Sequence, residues 1–301
     1  MAETSPIDEA TLPGPGSVTW QRFGVAPGAL LAGTGLLLQV AHPVVGQGVL
    51  DHSEFQQHPW KRAWGTHLST MRFVYGMGDG ARAEGDRLIA LHRDIKGVDG
   101  EGRRYHALNP EAYAWVHTTL AKFMVDTAAW FCEPMTPAEL ARMWREWRAI
   151  GMALGLKPHH LPIDWPGAEA YIDEMVRDRL EANRSTADVL EALTRPRRPA
   201  RALPAPLWNA GIAPAARLVR LTTVGTLPPL VRERLGLEWT DSDRRTLTRL
   251  ASMVRATHRR APEPLRYSPL AYWLIVRGRR AARHRVAGHR AGGADGSARA
   301  A

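Results

Sequence analysis

The strongest constraint on this chain is the period of its apolar residues. They recur every three or four positions in segment after segment, and alternating β-branched runs bounded by turns do not occur. Such a chain buries its apolar faces by packing helix on helix, so the expected fold class is all-α, a single large helical domain. The clearest start signal is Thr136-Pro137-Ala138-Glu139, a capping box with proline at the first helical position. It opens a helix with Leu140, Met143, Trp144, Trp147 and Leu154 along one side, ending near Gly155. Asn109-Pro110 is a second start, ahead of a run apolar on most sides that reads as a central buried helix. Pro59 opens a helix over 59–75 with Trp60, Trp64, Leu68, Met71 and Tyr75 in an apolar stripe, while Arg62 and Thr66 share another face. The next helix ends near Gly97 and aligns Leu88, Leu91, His92 and Ile95 on one inward face.

The rest of the chain extends this pattern. Pro43 should interrupt the apolar run 28–50, whose Gln39, His42 and glycines suit a buried core helix better than a bilayer span. Helices are expected over 168–182, 207–224, 228–235 and 241–260, with a final amphipathic one opened by Ser268-Pro269. The segment 195–206 is too rich in proline for helix and reads as a loop within one domain. Three stretches result: a disordered lead-in over 1–16, the helical domain over 17–275, and a basic, disordered tail over 276–301. The lead-in is acidic and lacks the apolar stretch of a secretory leader. With Cys132 alone, no intrachain disulfide framework is possible, and a reducing, cytoplasmic location is expected. Of the formal charge of +10, the seven arginines and one aspartate from Arg277 onward supply +6. The tail reads as a solvated terminus, open to weak contact with a membrane surface but to no specific nucleic acid.

Chemistry-bearing residues cluster early. His92, among leucines and an isoleucine, is either a core histidine bonded to a carbonyl or a ligand in an apolar pocket, and periodicity leaves both open. Arg62 and Thr66 either pair with groups on other helices or line a pocket together. Asp51 and His52 fall in a break between helices, from which a general base could reach such a pocket. His42 and His117 read as buried hydrogen-bonding groups that pin helices. Zinc at His159-His160 is discounted because no accompanying ligand pattern exists, and GVAPGALLAGTG lacks the preceding strand of a phosphate-binding loop.

One ordered set of motifs adds to this reading. Gln39-x-x-His42-Pro43, Asp51-His52-Ser53, Arg62-x-x-x-Thr66, Leu91-His92 and Gly97 are followed by Tyr105-x-Ala107-x-Asn109-Pro110 and Trp115-Val116-His117. Leu161-Pro162 and Leu227-Pro228-x-x-x-Arg232-x-x-Leu235-Gly236-Leu237 complete it. Over about residues 20–260 the chain resembles the catalytic domain shared by bacterial rubber oxygenases (latex-clearing proteins) and ER-bound MpaB-type oxygenases. That resemblance implies an all-helical fold around haem b, with iron held by His92, and Arg62 and Thr66 as its polar neighbours. It implies an oxygenase that uses O2 on an apolar, unsaturated substrate of isoprenoid or lipid type, with an unknown electron donor if any. The lysine that rubber oxygenases carry just before the threonine is Gly65 here, and only Asp51, His52 and Glu54 lie near the position of their proposed catalytic glutamate. The alternatives are a helical haem protein for sensing or carriage, and a non-haem helical binding protein with a basic docking tail.

Overall fold

The computed structural model describes residues 12–53, 58–76, 79–195 and 204–297. Its helices are α1 (Val18–Arg22), α2 (Ala32–Val40), α3 (Pro43–His52), α4 (Pro59–Tyr75), α5 (Asp79–Arg93), α6 (Pro110–Phe131) and α7 (Pro137–Ala153). They continue as α8 (Trp165–Asp178), α9 (Arg184–Thr194), α10 (Ala205–Thr226), α11 (Pro229–Arg234), α12 (Asp241–Arg260), α13 (Glu263–Arg266) and α14 (Pro269–Ser297). Among the described residues the only sheet is an antiparallel hairpin of β1 (Lys96–Val98) and β2 (Arg104–His106). The protein is all-α. Most of the 1–16 lead-in and of the 195–206 connection, together with Glu54 and the side chain of Trp60, lie outside the described residues.

The helix starts follow the local chemistry. Thr136 Oγ1 accepts from the Glu139 amide (3.3 Å) and the Glu139 carboxylate accepts from the Thr136 amide (2.9 Å), closing the capping box that opens α7. The Asn109 side chain accepts from the Ala112 amide (3.1 Å) at the start of α6. Pro43, lacking the amide that would continue α2, instead opens α3, and the chain bends by 101° there. No single helix among the described residues is long and apolar enough to cross a membrane.

Helix α6 is the axis of the fold, packing against α2, α7, α8 and α12. Trp115, Met124 and Phe131 from α6 are fully buried, as are Met143, Trp144 and Trp147 from α7. Each such side chain contributes roughly 1.5–3 kcal/mol through the surface it removes from water. Their polar atoms are also met: Trp115 Nε1 donates to the Leu38 carbonyl (3.0 Å), and Trp147 Nε1 to the His117 carbonyl (2.9 Å).

Three boundaries differ from expectation. Helix α5 ends at Arg93 rather than near Gly97, because the next residues pair as the hairpin. Gly97 stands opposite Tyr105, whose hydroxyl lies 2.7 Å from where a side chain at Gly97 would begin, so this register needs a glycine. Strands of three residues are too short to display alternation, which is why the pattern missed them. The expected helix over 168–182 is α8, and a separate helix, α9, follows with Asn183 as its cap (3.0 Å to the Thr186 amide). Finally, α14 continues through the arginine-rich segment to Ser297.

Candidate functional site

Helices α4 and α5 form an antiparallel pair, stapled near their shared turn. The Glu84 carboxylate, 5% exposed, accepts from Ser69 Oγ (2.6 Å) and from Arg87 Nε (3.0 Å) and Nη2 (2.5 Å). Burial pushes its carboxyl up, but the hydrogen bonds from Arg87 and Ser69 outweigh that and hold it below the usual range. With Ser69 opposite Glu84, an antiparallel pairing brings Arg62 alongside the last turn of α5, where His92 lies, and Thr66 about one turn earlier, level with Arg87.

His92 Nδ1 donates to the Leu88 carbonyl one turn back (2.7 Å). That bond fixes the tautomer and leaves Nε2 with its lone pair, and no protein group among the described residues hydrogen-bonds to it. Tyr113 of α6 presents its ring edge to the imidazole, centroids 6.0 Å apart. Burial keeps His92 neutral, opposed by its backbone bond and aided by the positive charges of Arg62 and Arg87. Arg62 is therefore an electrostatic neighbour of His92. Solvent reaches Arg62, yet surrounding protein still disfavours its charge, as for a side chain in a recess. Among the described residues it has no carboxylate partner, and the Thr66 hydroxyl has no hydrogen bond.

The apolar stripe on α4 is only half used. Met71 and Tyr75 enter the core, whereas residues 61–66 are all exposed and Trp64 is 61% exposed. On α5, Leu91 is 50% exposed, and His92 is half-buried rather than enclosed. The expectation of a fully inward-facing His92 is thus corrected: the N-terminal half of α4 and the last turns of α5 run past the packed centre of the fold. Two cavities, of 240 Å³ beside Cys132 and His258 and 380 Å³ beside Asp126 and Arg232, lie elsewhere and do not include His92.

Does this donor set suit a haem? A neutral imidazole with Nδ1 fixed and Nε2 free is the state in which histidine binds iron. A guanidinium without a carboxylate is a partner for a propionate, and the open side chains of Trp64 and Leu91 offer apolar surface to a flat ring. The residues present fit the group.

Asp51 and His52 do not fall in a break between helices as expected but form the last turn of α3, because the helix opened by Pro43 runs on to His52 before Ser53 caps it. Tyr105 Oη donates to Asp51 Oδ2 (2.5 Å), His52 Nε2 lies 3.1 Å from the same hydroxyl, and Gln47 Nε2 donates to both Asp51 oxygens (3.0 Å each). The bonds from Gln47 and Tyr105 hold the Asp51 carboxyl low, while burial and the Asp51 contact push the Tyr105 phenol up to about 12. This network ties the end of α3 to the hairpin. No hydrogen bond or ion pair among the described residues joins it to Arg62, Thr66 or His92. The sequence marks Tyr105 only as part of the motif Tyr105-x-Ala107-x-Asn109-Pro110, with no role, and marks the Ser69–Glu84–Arg87 staple only by the Glu84–Arg87 spacing of three residues.

Two further histidines, His117 and His42, are buried. His117 Nε2 donates to the Trp147 carbonyl (2.9 Å) and the two rings stack at 5.1 Å. His42 is buried with Nε2 3.4 Å from Glu111 Oε1, but neither ring nitrogen makes a hydrogen bond among the described residues, so the expectation of a hydrogen-bonding pin holds for His117 and not for His42. His159 and His160 touch only edge to face, and no group of three metal-ligating side chains occurs among the described residues.

An α-helical domain in which, among the described residues, an imidazole with one unengaged nitrogen stands beside a guanidinium without a carboxylate is the class of structure defined so far. The chain belongs to the family of the ER-bound oxygenase mpaB/B'/Rubber oxygenase catalytic domain, whose model matches residues 20–256. Membership marks the domain as an oxygenase catalytic domain, an oxidoreductase in the general sense. It is 28% identical to an uncharacterized protein of Mycobacterium tuberculosis and, equally, to one of Mycobacterium bovis, over 77% of this chain and 89% of each relative. No solved structure matches.

Proposed function

We propose that the chain is a haem b-dependent oxygenase that uses O2 on an apolar, unsaturated substrate of isoprenoid or lipid type. The observation that carries this reading is the His92 imidazole, its Nδ1 committed to the Leu88 carbonyl and its Nε2 free beside Arg62. Haem, when bound, would supply the activation of oxygen. His92 would hold the iron through Nε2, and the bond to Leu88 would keep the ring from rotating. Arg62 would pair with a propionate, and Thr66, one turn on, would offer a hydrogen-bond donor to the polar side of the same recess. Trp64 and Leu91 would keep water from the ring and give an apolar substrate a surface to rest on. The test is the purified chain supplied with haem: a Soret band should appear, and oxygen should be consumed when an unsaturated isoprenoid is added. A preparation that stays colourless with haem in excess contradicts the reading.

A specific observation favours a second reading, a haem protein for sensing or carriage. Asp51 and His52 are engaged with Tyr105, and Gly65 places no side chain where the family's lysine would stand, so none of these three positions, among the described residues, offers an acid–base group beside His92. A Soret band without oxygen uptake on any unsaturated lipid would select it.

A further inference from the structure

The charge of the molecule is concentrated at one end. Residues 241–301 hold fourteen arginines and four acids, a net +10 equal to that of the whole chain, so residues 1–240 are balanced at 26 of each sign. On α14, Trp273, Arg277, Arg280 and His284 recur at intervals of three or four residues and are all exposed, while Ala271 and Ile275 are buried on the opposite side, toward α4. The Arg277 guanidinium sits over the Trp273 ring, 5.4 Å from its centroid. Just before this stripe, Leu265 of α13 is 70% exposed, and an ion pair between Glu263 and Arg279 (2.6 Å) ties α13 to α14. Arg266 holds α13 to the end of α12 through the carbonyls of Ala261 (2.7 Å) and Arg259 (3.3 Å), where Arg259 and Arg260 are also exposed.

We propose that α13 and the outer stripe of α14 form a peripheral docking surface for anionic phospholipid. Arginines interleaved with an exposed leucine and tryptophan suit the boundary between headgroups and acyl chains. There the guanidinium groups meet phosphates and the apolar side chains leave water. A nucleic acid would satisfy the charges but has no use for Leu265, and Arg277 already covers one face of Trp273 against base stacking. Docking is peripheral, since no described helix can span the bilayer by itself. The proposal stands apart from the haem reading, because vesicle binding is measured without cofactor or turnover.

The test is sedimentation of the full chain with vesicles of phosphatidylcholine alone or with one quarter phosphatidylglycerol. Binding is expected only to the anionic vesicles, and added salt should release it. Arg277→Gln with Arg280→Gln should lower the partition coefficient by roughly 25-fold, counting about fivefold per arginine. Leu265→Ser with Trp273→Ser should weaken it further without changing the salt response. All four positions are exposed, so both variants should keep the wild-type helical circular dichroism. Equal binding to both vesicle types, or binding that neither variant reduces, overturns the proposal. Capture of single-stranded DNA with no vesicle binding also overturns it and assigns the surface to nucleic acid.

Discussion

Two histidines on neighbouring helices show how surroundings decide what an imidazole does. Each donates one ring nitrogen to a backbone carbonyl, His117 to Trp147 at 2.9 Å and His92 to Leu88 at 2.7 Å. His117 is then closed in by the stacked Trp147 ring and by Gly151, where an added side chain would begin only 2.8 Å from its Nε2. Nothing larger than the ring fits, and the residue serves as a pin between α6 and α7. His92 has the same anchor but stands at the edge of the α4–α5 pair, with Nε2 open and a guanidinium nearby. Burial on all sides commits the first to packing, whereas incomplete burial leaves the second with one ring nitrogen unengaged among the described residues, as the proposed function requires.

The contrast can be broken at either end. Removing the interior imidazole by His117→Ala leaves a cavity and takes away the bond that ties α6 to the Trp147 carbonyl, and should cost about 2–4 kcal/mol in denaturant unfolding. If haem binding is centred on His92, the surviving folded fraction should still take up haem. The same residue predicts a pH dependence. Burial lowers the His117 pKa from 6.5 to about 4, so the unfolded chain takes up a proton before the folded one does. Stability should be unaffected well above pH 6.5, fall as the pH drops from there, and level off below about 4, a total of about 3 kcal/mol. Unfolding midpoints measured across that range should show the fall in wild type, and a smaller one in His117→Ala.

At the other end the effects are on binding. Arg62→Ala should weaken haem retention about tenfold, the loss of one charge-assisted pair, with Arg62→Lys restoring only part of it. A haem dissociation constant unchanged in Arg62→Ala would remove Arg62 from the site. The smallest effect is expected at the Asp51–Tyr105–His52 network. Tyr105→Phe should lower stability by about 1 kcal/mol in thermal melts and leave the visible spectrum unchanged. A shifted Soret band in that variant would show that the hairpin communicates with His92.

Much of the scaffold is legible in the sequence because its signals are local. Thr136-Pro137-Ala138-Glu139, Asn109-Pro110 and Pro59 each start a helix where the structure starts one. The hairpin escaped because its pairing depends on Gly97 accommodating Tyr105, a contact between residues eight apart with no period to mark it. At the candidate site, helical spacing alone places Arg62 and Thr66 on one face and His92 on an apolar one. What spacing does not tell is that α4 and α5 outrun the core, leaving Trp64 and Leu91 open to solvent. Nor does it tell that Asp51 and His52 turn toward Tyr105, since side-chain partners between helices follow from packing rather than periodicity.

The central claim is that His92, and no other histidine, would carry the metal. A haem titration followed by absorption compares wild type, His92→Ala and His117→Ala side by side. Wild type and His117→Ala should show a sharp Soret band, and His92→Ala should lose or displace it with the helical circular dichroism intact. An unchanged band and unchanged axial ligation in His92→Ala would contradict the claim.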